Sequence, residues 1–210
     1  MGFVMVVDIG QKRDPTAICA VETEVRQIDR RTETHFLVRY IGRLPLMTPY
    51  PDVARRVGEV ANGVRARVGT SPLVYVDATG VGQPIVDILR EGAPAVRSIV
   101  AVYFTYGDRR TEDRNYRSPQ VNLGKAYLVS RLQTLLQTDR IHLPRNPETE
   151  ALAKELLDYE IRVDQNANDR YGAFRVGTHD DLVTALGLAV QTDKPIGLPR
   201  SAALSWPPGW

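Results

Sequence analysis

From Phe3 to Val7 the chain is apolar without a break and then stops at Asp8, the pattern of a strand buried on both faces. After the polar loop Gly10–Pro15, the segment Thr16–Val25 alternates well enough for a second strand. Beyond a polar turn through Asp29–Arg31 comes a third, over roughly Thr34–Leu44. Strands joined by such short links form an antiparallel meander. Pro49-Tyr50-Pro51 ends that pattern, and Val53, Val57, Val60 and Val64 recur at helical spacing. Leu73–Asp77 is a short buried strand with Asp77 at its tip. Gly80–Gly92 is a helix whose Ile85, Ile88 and Leu89 face the sheet, and Ser98–Phe104 is a further strand.

The polar stretch Thr105–Pro119 exceeds a tight turn and is expected to be a functional or mobile segment. From Val121 to Leu136 the periodicity predicts a helix; Arg140–Pro144 reads as a brief strand and Pro147–Tyr159 as another helix. Glu160–Asp164 and Tyr171–Val176 suggest a hairpin around Asn166–Asp169, and a last helix is expected to start near Thr178. The fold class that follows is α/β: a mixed sheet, its first three strands antiparallel, flanked by helices. Residues 1–193 make one domain, and the Pro- and Trp-containing stretch 194–210 is a tail.

Composition narrows the classes without deciding among them. Hydrophobic content of 43% and charged content of 25% are those of a globular domain, and no apolar run approaches the length of a membrane span. The start of the chain lacks the basic and apolar regions of a signal peptide. Cys19 is the single cysteine, so neither an internal disulfide nor a thiolate zinc cluster is expected. Net charge is only +2, yet Lys12, Lys125, Lys154 and Lys194 are the only lysines among 27 basic residues. Arginine carries almost all the positive charge, which suits bidentate phosphate contacts and equally suits a GC-rich coding sequence.

Candidate chemistry lies in aspartates at element ends: Asp8, Asp77, and Asp180 with Asp181, trailed by Asp14. Singly, each is an ordinary cap or turn residue. Together, carboxylates converging in an α/β sheet require a cation, and an all-oxygen donor set fits Mg²⁺ or Mn²⁺. Two such ions would support in-line phosphodiester hydrolysis. Thr178-His179-Asp180-Asp181 also matches a capping box with Thr178 as N-cap, and Leu182, Leu186, Ala189 and Val190 give that helix its buried face. Asp180 and Asp181 should point in different directions, one as ligand and one in support. His179 is a secondary neighbour, while His35 and His142 have no partner visible in sequence. Lys125, early in a helix, could reach a scissile phosphate or an active-site aspartate. Arg109, Arg110, Arg114 and Arg117, interleaved with Tyr106 and Tyr116, could hold a DNA backbone, diluted by Asp108, Glu112 and Asp113.

Five pieces, in order and covering most of residues 3–190, carry a family resemblance: VVDIGQKRDPTAICAVE, YVDATGVGQPIVDILRE, VNLGKAYLVSRLQTLLQTDRIHLP, KELLDYEIRVD with NDRYGAF, and HDDLVTALGLAV. The chain resembles the C-terminal nuclease domain of the large terminase subunit of tailed bacteriophages, an RNase H-like fold. The resemblance implies a metal-dependent endonuclease that cuts double-stranded viral DNA during packaging in the infected host's cytoplasm. It also implies Mg²⁺ or Mn²⁺ as cofactor. Asp8, Asp77 and Asp181 become the metal-binding triad, Asp180 and Asp14 further ligands. Many relatives carry Glu where Asp77 stands, so metal spacing is expected to differ. The implied partners are DNA, an ATPase motor domain, a small terminase subunit and a portal protein. A G-x-x-x-x-G-K-[ST] phosphate loop is missing, so an excised domain or a stand-alone relative is expected, without ATP-driven translocation. Other readings are a Holliday-junction-resolvase-like nuclease, a non-catalytic DNA or portal docking module, and an actin-like kinase fold, for which the chain is short.

Overall fold

The protein is described by a computed structural model that covers residues 2–10, 12, 14–80, 82–96, 98–113, 119–163, 169–172 and 179–191. Arg114, Tyr116, Arg117, Thr178 and the tail fall outside these residues. The expectations placed on Arg114, Tyr116, Arg117 and the tail therefore have no structural counterpart.

The meander is present: β1 (Gly2–Asp8), β2 (Ala17–Ile28) and β3 (Arg31–Arg43) pair antiparallel in sequence order. β4 (Leu73–Asp77) then joins the opposite edge of β1 in parallel, and β5 (Ser98–Thr105) extends the sheet beyond it. Helix α1 (Tyr50–Val68) crosses from β3 to β4 and closes on Gly69 in the left-handed conformation, a common helix stop. Helix α2 (Gln83–Gly92) links β4 to β5. Its buried residues are Ile85, Val86 and Leu89; Ile88, expected on that face, is only partly covered.

Two strands lie between Thr105 and Leu136 that the apolar pattern does not announce. Arg110–Asp113 forms strand β6, an outer strand hydrogen-bonded antiparallel to β7 (Gln120–Gly124). Charged side chains suit a sheet edge, which is why β6 lacks an apolar signature. Likewise, residues 121–124 are strand rather than helix, and helix α3 (Lys125–Gln137) begins directly after Gly124. A short β8 (Ile141–His142) pairs in parallel with β3, giving the sheet order β6-β7-β5-β4-β1-β2-β3-β8 among the described residues. Helix α4 (Pro147–Asp158) starts at Asn146, whose side chain accepts a hydrogen bond from Thr149 N at 2.9 Å. The hairpin β9 (Glu160–Val163) with β10 (Asp169–Gly172) stands apart from the main sheet, and α5 (Asp181–Ala189) follows.

Strand alternation sorts the core into two layers. Phe3, Met5 and Val7 of β1 pack with α1 and α2, while Val4 and Val6 face α3, α4 and α5. In β4, Val74 and Val76 belong to the first layer, and Leu73 and Tyr75 border the second. Continuing both alternations by two residues carries Asp8 and Asp77 to the face shared with α5. All nine residues of α5 are buried, so the helix is a core element. Among the described residues no helix is long and apolar enough to cross a membrane.

Candidate functional site

Asp8 and Asp77 are direct register partners on adjacent parallel strands, both at the C-terminal tip, where open α/β sheets place their ligands. Together with Asp180, Asp181, Asp14, Lys12 and Lys125 they line a cavity of about 450 Å³, walled by Ile9, Tyr50, Phe104 and Thr184. The sequence therefore foretold five carboxylates and one lysine that the fold does bring together. Lys12, Tyr50 and Phe104 carried no signal of their own.

Each side chain is held by a local device. Asp77 Oδ1 accepts from Thr79 N at 2.8 Å, and Thr79 Oγ1 accepts from Phe104 N at 2.8 Å, so the β4 tip is tied to β5. Lys125, first residue of α3, lies with Nζ 5.2 Å from the Phe104 ring centre and 3.5 Å from the Tyr171 carbonyl oxygen to which it donates. A Cβ on Gly172 would stand 2.7 Å from Asp180 Oδ2, so the end of β10 packs closely against that carboxylate. Asp14 is exposed at the rim; His179 Nδ1 stands 3.6 Å from its Oδ1 and 3.9 Å from Asp181 Oδ2.

The N-cap lies two residues beyond the expected Thr178. Helix α5 begins at Asp181, its N-cap position is Asp180, and Asp180 makes no side-chain cap bond. The amides of Leu182 and Val183 instead donate to Glu155 Oε2 of α4, at 2.9 and 3.0 Å. Glu155 Oε1 is in ion contact with Arg43 at the end of β3, and Arg43 Nε lies 3.6 Å from Asp181 Oδ2. Neither Glu155 nor Arg43 stood out in sequence, because their meaning depends on three elements meeting.

Electrostatics mark the cavity as a site of mutual repulsion. Burial is the largest influence on Asp8 and holds its carboxyl well above the ordinary range, reinforced by Asp77, Asp181 and Asp180 and opposed by Lys125. Asp77 is raised by burial against its hydrogen bonds to Thr79. Asp181 is pushed by burial from 3.8 to about 6, with Asp14 and Asp180 adding to the rise and Arg43 and His179 opposing it. Burial, and then the charges of Asp180 and Asp8, push the Tyr159 phenol up as well, so it stays protonated.

A divalent cation suits this donor set. The donors are all oxygen, they repel one another, and among the described residues the buried Asp181 Oδ2 has no hydrogen bond. No three His, Cys, Asp or Glu side chains among the described residues are already gathered closely enough to hold an ion, so binding would have to draw the carboxylates inward.

The arginines divide. Arg109 is exposed, whereas Arg110 is neutralised by Glu112 at 2.6 Å. His35 and His142, partnerless in sequence, meet at 2.9 Å across β3 and β8, far from the aspartates along the sheet.

A mixed sheet opening with three antiparallel strands, continued in parallel from β1 and packed by helices on both faces, has the RNase H-like architecture. Solved terminase nuclease domains share it. The human cytomegalovirus terminase nuclease domain aligns over 90% of this chain and 81% of its own, with a TM-score of 0.57 at 14% identity. Its Mn-soaked form aligns over 89% and 80%, with a TM-score of 0.53 at 16% identity. The large terminase nuclease domain of bacteriophage SPP1 with bound Mn aligns over 90% and 85%, with a TM-score of 0.50 at 14% identity. At these identities the likeness is one of fold. No family model matches the chain, and no curated protein matches it.

Proposed function

We propose that the chain is a metal-dependent endonuclease that cuts double-stranded DNA during viral genome packaging. One observation carries the reading most strongly: Asp8 and Asp77, in register on neighbouring strand tips, share a cavity with Asp180 and Asp181 at the start of α5. Buried like charges with raised pKa values are costly unless a cation completes them, and sites of this kind are more often functional than structural. The same fold carrying Mn in the SPP1 domain adds support.

Asp8, Asp77 and Asp181 would hold Mg²⁺ or Mn²⁺, with Asp180 and Asp14 completing the shell. Bound divalent ions supply an activated water and stabilisation of the leaving oxygen in phosphodiester hydrolysis. Lys125 contributes a cation fixed between Phe104 and the Tyr171 carbonyl, at the height of the aspartates, where it can balance phosphate charge. Exposed Lys12 and Arg109 offer backbone contacts on duplex DNA, so binding should weaken as salt rises. A motor ATPase, a small terminase subunit and a portal protein are the partners this role would bring.

Plasmid nicking and linearisation in EDTA, Mg²⁺ or Mn²⁺ tests the reading, with Asp77→Asn as the comparison. Cutting is expected only with metal and only in the native chain. Metal-independent cutting, or full activity in Asp77→Asn, refutes it. A folded chain inert with every metal points to a docking module.

A further inference from the structure

Arg43 stands between two buried carboxylates, and which of them it serves decides whether Asp181 is available. Its guanidinium contacts Glu155 Oε1, while its Nε remains 3.6 Å from Asp181 Oδ2, beyond hydrogen-bond reach. Glu155 cannot follow Arg43 elsewhere, because its other oxygen is fixed by the Leu182 and Val183 amides at 2.9 and 3.0 Å and its side chain is 6% exposed. Asp181 Oδ2 is consequently a buried oxygen with no hydrogen bond among the described residues.

The placement of Arg43 is itself built into the chain. Phe36 and Val38 face the α5 layer; Arg39 is then an extra residue in β3, since Ala20 opposes Tyr40 and Val21 opposes Val38. That bulge reverses the alternation, so that Tyr40 faces the other layer and Ile41 the α5 layer. Arg43, two residues on, falls on the side of Glu155 and Asp181.

We infer that Glu155 is a positioning residue that occupies Arg43 and so keeps one oxygen of Asp181 free for the cation. This rests on the metal-dependent reading of the cavity. Without the Glu155 charge, Arg43 has Asp181 as its nearest buried anion, and a bidentate Arg–carboxylate pair competes directly with metal.

The test is Mn²⁺ binding to the full chain, followed by electron paramagnetic resonance of the free ion, without DNA or turnover. Glu155→Gln keeps an oxygen for the helix amides and removes the charge. It is expected to weaken Mn²⁺ about 10–100-fold, the usual effect of losing a group that orients a ligand. The double variant Arg43→Met/Glu155→Gln is expected to recover native affinity, since the competitor is gone; a purely structural role predicts the double variant to be worse than either single one. Unchanged affinity in Glu155→Gln, or no recovery in the double variant, overturns the inference. Should Glu155→Gln fail to fold, Arg43→Met alone decides: affinity equal to or tighter than native supports the inference, and weaker binding by a folded protein overturns it. Failure of the underlying reading looks different, because then the native chain binds no Mn²⁺ or binds it equally well after Asp77→Asn.

Discussion

Replacing Asp181 by asparagine should make the metal-free protein more stable. Burial lifts this carboxyl from 3.8 to about 6, and Arg43 already offsets part of the cost. A rise of about two units corresponds to about 3 kcal/mol against the ionised form at neutral pH, at 1.36 kcal/mol per unit, as an upper bound. The asparagine amide must itself be desolvated, which takes back about 1–2 kcal/mol. A net gain of about 1–2 kcal/mol remains, or about 2–8 °C in melting temperature for a domain of this size. The sign of the pH dependence follows from the direction of the shift. The folded form holds this proton more firmly than the unfolded chain, so the native protein's advantage is complete below about pH 4 and lost as pH rises through about 6. Melting curves of both proteins in EDTA across this range, compared as a difference, cancel the titrations that do not depend on Asp181. The gap should be closed at low pH and open above about pH 6. A saturating ion should invert the order, since the native site gains about 2.7 kcal/mol at a hundredfold excess over its dissociation constant. An Asp181→Asn protein that melts lower than native at neutral pH in EDTA, or a gap that does not change with pH, would refute the reasoning.

Two further outcomes concern packing and the second titrating cluster. A Cβ on Gly187 would lie 2.4 Å from Leu128 Cδ2, so Gly187→Ala should force α3 away from α5 and cost about 1–3 kcal/mol in urea unfolding, with reduced Mn²⁺ binding as a consequence. His35 and His142 are both held below the ordinary imidazole value, first by burial and then by Arg26; their contribution is therefore present above about pH 6.5 and lost on acidification. His142→Phe should flatten that acid limb in chemical denaturation between about pH 8 and 5, and an unchanged limb would count against the pair.

Legibility in the sequence followed how local each determinant is. The strands β1, β4 and β5 declared themselves because Phe3–Val7, Val74–Val76 and Ile99–Phe104 are apolar runs. Asp8 and Asp77 were visible as the polar residues ending such runs, and strand period carried them to one face. By contrast, β6 has a charged sequence and β7 is too short for periodicity to separate strand from helix, so neither is legible as a strand. A capping box is a local pattern and points to Thr178, whereas the residue that binds the helix amides, Glu155, lies 27 residues before Leu182. The Arg43 position depends on a bulge, which shifts alternation without leaving a mark in composition.

A core helix that also carries aspartates of the cavity sets an order on assembly. Within this domain α5 is synthesised after every described strand of the main sheet and after both helices, α3 and α4, that flank it. Until it is inserted, Asp8 and Asp77 stand beside an unfilled layer and the ring of carboxylates is incomplete. On the metal-dependent reading proposed above, a nascent domain would be inert until α5 is in place, and competence would arrive in one late step that coincides with closure of the hydrophobic interior.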